Sequence, residues 1–174
     1  MALLAITVQA RIVKNGGPIT SEVWKGDGSN LWAKGQLLKA ANGTVTPVLA
    51  LGSSPATLDT DDTGASNAKL FIALSDVTAA TSDFVPVQEI KSDTIIQVRL
   101  LASSSGSPIA ATAQKGDVYA LYQLASGLYG VDVDNATKPV VQVVDIEQDV
   151  NPYSKTNGAN YGFVWVKVLS AILA

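Results

Sequence analysis

Alternation with a period of two runs through the chain, and it restricts the fold more than any other feature. Residues Ala5–Lys14 place Ile6, Val8, Ala10 and Ile12 on one face and Thr7, Gln9 and Arg11 on the other. Thr94–Leu101 sets Ile96, Val98 and Leu100 inward and Gln97 and Arg99 outward, and Phe163–Leu169 sets Val164, Val166 and Val168 against Phe163, Trp165, Lys167 and Leu169. Such spacing gives a strand one buried face and gives a helix no continuous stripe. Further strands are expected at Gln36–Ala40, Thr44–Leu51, Leu70–Leu74, Phe84–Ile90, Asp117–Leu124, Leu128–Val133 and Val140–Ile146. Asn42-Gly43, Ser126-Gly127, Asn157-Gly158 and Lys25-Gly26-Asp27-Gly28 supply turns. Pro86 cannot donate to a ladder, which predicts an edge or a bulge at Phe84–Ile90. Helical windows are broken by glycine, proline and β-branched residues, and a single turn near Ser75–Ala80 is the best that remains. The expected fold is all-β: a compact barrel or sandwich of many short antiparallel strands.

The chain also echoes itself. Lys34-Gly35-Gln36 and Lys115-Gly116-Asp117 each open a strand that turns back, at Asn42-Gly43 and at Ser126-Gly127. Phe71–Val77 is echoed by Val140–Ile146, and Ile96–Leu100 by Val164–Val168. This predicts an N-terminal strand and arm over 1–32 and a barrel-like body over 33–174, divisible into units 33–102 and 113–174. Neither unit is large enough to be comfortable alone.

Functional classes fall away by composition. The 174 residues include no histidine and no cysteine. Imidazole-based triads, thiolate nucleophiles and His- or Cys-ligated zinc are therefore excluded. Charged residues are 16% of the chain and the net charge is −3, which points away from nucleic acid and from an anionic membrane surface. The opening Met-Ala-Leu-Leu-Ala-Ile lacks a basic region before it and does not read as an export signal. No apolar run is long enough to span a membrane as a helix.

The remaining motifs are weak. Asp59-Thr60-Asp61-Asp62-Thr63-Gly64 has the spacing of half a calcium loop, but its twelfth position is Leu70, and it reads as a solvated acidic loop. Asp132 and Asp134 alternate onto one strand face, and an exposed face leading into a turn accounts for them. Asn42-Gly43-Thr44 and Asn135-Ala136-Thr137 match the glycosylation triplet. No catalytic, cofactor or metal site is expected, and the chain does not read as an enzyme. Trp24 and Trp32 lie in a glycine-bearing segment, Asn15–Trp32, with Pro18. Buried core positions are the default expectation for Trp24, Trp32 and Trp165; if that segment is instead an arm, Pro18, Trp24 and Trp32 are its candidate partner contacts, since tryptophan is a favoured interface anchor.

One resemblance is carried by Trp32–Ile90. Lys34-Gly35-Gln36, Gly43-Thr44-Val45-Thr46-Pro47, Ile72-Ala73-Leu74-Ser75-Asp76 and Val85-Pro86-Val87 together resemble the pattern of tailed-phage capsid decoration, or cement, proteins. The resemblance implies a small β-barrel-like virion protein that is assembled in the host cytoplasm. It would bind the major capsid protein on the outside of the mature head, often as a homo-oligomer with a trimer favoured. Two other readings stay open: another virion part such as a tail-tube, baseplate or fibre-base protein, and a secreted carbohydrate-binding sandwich that stacks sugars on Trp24, Trp32, Tyr119, Tyr122 or Tyr129.

Overall fold

The computed structural model describes residues 11–14, 21–48, 56–58, 69–101, 115–125, 128–132, 138–147, 163–170 and 173. These residues are all-β. In chain order the strands are β1 (Arg11–Lys14), β2 (Ser21–Gly26), β3 (Leu37–Ala41), β4 (Thr44–Pro47), β5 (Ala56–Leu58) and β6 (Leu70–Ala73). They continue with β7 (Phe84–Ile90), β8 (Ile95–Leu101), β9 (Val118–Ala125), β10 (Leu128–Asp132), β11 (Val141–Glu147) and β12 (Phe163–Val168). No helix occurs among the described residues: at Ser75–Ala80, where a helical turn was expected, Val77 instead forms an antiparallel bridge with Trp32.

The same closed ring is built twice. In the first barrel the order is β2-β4-β3-β6-β7, with β2 parallel to β4 and every other pair antiparallel. In the second, β8 runs parallel to β10, and β10-β9-β11-β12-β8 closes the ring through antiparallel pairs. Strand for strand, β2, β3, β4, β6 and β7 correspond to β8, β9, β10, β11 and β12. β1 adds to β8 and β5 adds to β9.

The correspondence extends to single hydrogen bonds. Gly35 N–H donates to the Ala73 carbonyl at 2.9 Å and Ala73 N–H to the Gln36 carbonyl at 3.0 Å; Gly116 N–H donates to the Val143 carbonyl at 2.9 Å and Val143 N–H to the Asp117 carbonyl at 2.8 Å. Both glycines have positive φ, 84° and 99°, a conformation that costs a side chain energy and explains why each echoed Lys-Gly pair ends in glycine. The units are therefore residues 21–90 and 95–168, not 33–102 and 113–174. Ile96–Leu100 and Val164–Val168 look alike for another reason: they are adjacent strands of the second barrel, Val98 opposite Val164, facing one core.

Packing joins the two barrels. Leu38, Val45, Phe71, Ala73, Val85 and Val87 fill the first barrel, and Trp32 and Val77 pack with them. The alternate residues Leu37, Leu70 and Ile72 point out of that barrel, yet they too are buried. With Val48 and Ile90 they belong to the apolar cluster that contains Ile96, Val98, Leu121, Tyr129 and the buried valines of β10, β11 and β12. β6 is consequently buried on both faces, which is why it reads Leu-Phe-Ile-Ala without alternation. The phenol oxygen of Tyr129, in the second barrel, accepts the backbone N–H of Leu37, in the first, at 3.0 Å.

Three expectations about faces and edges change. β7 is paired on both sides, so it is not an edge. Its Pro86 is tolerated because its carbonyl meets Leu74 N–H at 3.2 Å, beyond the last residue of β6, so the missing donor falls where that ladder ends. Gln97, expected outward, is buried. So is Asp132, for which an exposed strand face was expected; it lies on β10 opposite Ala120, inside the paired ribbon.

Candidate functional site

The segment Asn15–Trp32 holds the first strand of the first barrel. Ser21–Lys25 of β2 pair with Phe84–Gln88 of β7, so this stretch is part of the body and not an extended arm. Pro18 lies outside the described residues. Trp32 is 2% exposed, and its backbone exchanges two hydrogen bonds with Val77, at 2.8 and 3.2 Å. It is a core residue of the first barrel.

Trp24 is half-buried at one end of the first barrel. Its ring lies 5.0 Å from that of Phe71, tilted by 54°, and its indole N–H donates to the Glu22 carboxylate at 2.8 Å. The Lys69 ammonium stands 5.2 Å from the Trp24 ring centre and 5.4 Å from that of Phe71, and pairs with Glu22 at 3.6 Å and Glu89 at 3.4 Å. Alternation places Glu22 and Trp24 on the inner side of β2, so this cluster closes the barrel end with cation–π and ionic contacts. The indole donor, with Lys69 beside it, holds the Glu22 carboxyl below its usual range. Beside the cluster, Lys69, Glu89 and Lys91 line a cleft of about 280 Å³ together with Ser170 and Leu173. The ammonium groups there are already matched by carboxylates: Lys91 reaches Glu89 at 3.9 Å.

Asp27 organises the turn after β2. Its carboxylate accepts the N–H groups of Ser29 and Asn30, both at 2.9 Å, and the Asn30 side-chain amide. Gly26 and Gly28, on either side, donate their N–H groups to the Asp83 and Thr81 carbonyls, each at 3.0 Å. A Cβ on Gly26 would collide with the Thr81 carbonyl, so the approach of these two segments requires glycine. Burial pushes the Asp27 carboxyl upward, but the hydrogen bonds from Asn30 and Ser29 outweigh it and bring the group down to about 2. The folded value lies below the unfolded 3.8, so the stabilisation is present above about pH 4 and is lost as the pH falls toward 2. Asp27→Asn is expected to flatten acid unfolding in that window, measured as melting temperature against pH; an unchanged pH profile would remove Asp27 from the account.

The outer side of the β2–β7 ribbon is different in kind. Val23 and Phe84 are 67% and 73% exposed, the large apolar residues left open among the described residues. Val23 lies opposite Pro86, and Lys25 opposite Phe84. Reading missed this patch because β2 does not alternate in hydrophobicity: its inner side carries Glu22, Trp24 and Gly26. The register was the available signal, since Val85 and Val87 inward force Phe84 and Pro86 outward.

The two glycosylation triplets and the acidic loop add little. Asn42 is exposed in the β3–β4 turn with φ of 50°, while Asn135, Asp134 and Asp59–Gly64 lie outside the described residues. Among the described residues no group of three or more acidic side chains could hold a metal ion. No family model matches the chain, and no curated protein matches it.

Proposed function

We propose that the chain is a structural virion protein that binds the outer surface of a phage head and stabilises it, with the major capsid protein as its partner. The observation that carries this reading is the exposed apolar face, Val23, Phe84 and Pro86, on a barrel doubled into a single packed body. A duplicated barrel joined by a shared apolar layer is a stiff body, and a stiff body that covers part of a lattice loses little entropy on docking. The resemblance of Trp32–Ile90 to decoration proteins points the same way. The composition, lacking histidine and cysteine, suits adhesion better than chemistry.

A cement protein acts by linkage: it binds the closed shell better than separated subunits and shifts the equilibrium toward the shell. Heads prepared without this chain are expected to release their DNA at a lower temperature than heads saturated with it. Adding the purified protein should restore the higher temperature. Failure of the protein to co-sediment with heads, or an unchanged release temperature, would sink the proposal.

A further inference from the structure

The correspondence between the barrels fixes which residues occupy equivalent places on their outer faces. Val45 of β4 lies between Ala40 and Gly26; its counterpart Val131 of β10 lies between Leu121 and Leu100. Lys25 then corresponds to Arg99, and the ladders carry the match onward. Lys25 is opposite Phe84 in the first barrel, and Arg99 is opposite Phe163 in the second. A cation across from a phenylalanine recurs at one register position of the same ribbon. Next along, Val23 opposite Pro86 corresponds to Gln97 opposite Trp165.

The two faces differ in how far they are covered. In the second barrel Gln97 is buried and Trp165 half-buried, whereas in the first Val23 and Phe84 are largely exposed and Pro86 is exposed. Positions that are buried or half-buried on the second barrel stand open on the first. A solvated strand face ordinarily carries polar side chains, so three adjacent apolar ones mark a surface that is covered in use.

Charge says by what. The chain is net negative, yet the exposed charge on the outward side of β2 is Lys25, which no ion pair engages among the described residues. Glu22, on the same strand, is drawn inward to Trp24 and Lys69. Asp83, exposed just before β7, follows Lys25 along the ladder, where its carbonyl accepts the Gly26 N–H.

We infer that the β2–β7 face of the first barrel docks a capsid-protein surface that offers an apolar socket for Phe84 with a carboxylate on the Lys25 side. This rests on the capsid reading. Phe84 and Pro86 are stiff side chains that bury apolar area at low entropic cost, and Lys25 sets orientation and the salt dependence of the encounter.

The test uses full-length variants and phage heads that lack the chain. Phe84→Ser is expected to weaken binding to the heads by about tenfold or more with an unchanged melting temperature, because Phe84 is exposed. Lys25→Glu is expected to weaken binding and to abolish its decline with added salt, while Lys115→Glu, the same charge change on an exposed turn of the second barrel, leaves affinity intact. If wild type binds and both Phe84→Ser and Lys25→Glu bind equally well, this surface is wrong and the capsid reading stands. If wild type itself does not bind, both fall. Should Phe84→Ser unfold, Lys25→Glu decides: unchanged affinity and salt dependence overturn the inference.

Discussion

Trp32→Ala is expected to destabilise the protein by about 3–5 kcal/mol, the range for truncating a buried aromatic side chain. The indole is 2% exposed and packs with Leu38, Val45, Phe71 and the other side chains of the first barrel's interior. Alanine would leave a cavity in a wall of backbone that cannot collapse easily, because the bridge to Val77 holds the segment in place through two hydrogen bonds. The effect belongs to folding alone. Denaturant unfolding should show the loss, and binding to heads per folded molecule should be unchanged. A stable Trp32→Ala variant that no longer binds would restore Trp32 as a partner contact.

Tyr129→Ala is expected to cost a similar amount, again about 3–5 kcal/mol, but through the seam between the barrels. Tyr129 is 1% exposed, and burial pushes its phenol well above the ordinary range, so the hydroxyl stays protonated while its oxygen accepts from Leu37. Tyr129→Phe isolates that hydrogen bond: it leaves the buried Leu37 N–H without this acceptor and should cost about 1–3 kcal/mol. Because one apolar cluster contains residues of both barrels, wild type should unfold in a single transition, with calorimetric and van't Hoff enthalpies equal. Two resolved transitions, with only the second sensitive to Tyr129→Ala, would show that the barrels fold separately.

Much of the strand pattern was legible because most strands have one apolar side. Phe84–Ile90 coincides with β7, and the inward valines of β12 are buried as alternation requires. β2 was not legible, since its inner positions hold a carboxylate, an indole and a glycine that only the Lys69 and Thr81 contacts make sense of. A core place for Trp32 is the default expectation; what stayed hidden is the single bridge that sets it there, since it joins non-strand segments and neither has a period. Half of the repeat was visible in Lys34-Gly35 and Lys115-Gly116, where backbone conformation demands glycine. Its true boundary was not, because neighbours in one barrel share a core and so imitate one another more closely than equivalents do. Lys25–Phe84 and Arg99–Phe163 pair residues from separate segments, and only the ladders bring them opposite each other.

The shared apolar layer has a consequence during synthesis. All five strands of the first barrel have left the ribosome soon after Ile90, so it can close early. Its outward Leu37, Leu70 and Ile72 then await strands that end only at Val168. At elongation rates of about 5–20 residues per second that interval lasts roughly 4–16 s, long compared with chain collapse. Nascent chains on one polysome would meanwhile hold identical apolar surfaces near one another. Slow decoding of 95–168 should therefore favour inclusion bodies even though the finished protein is stable, and a chain stopped after Ile90 should aggregate rather than accumulate as a free barrel.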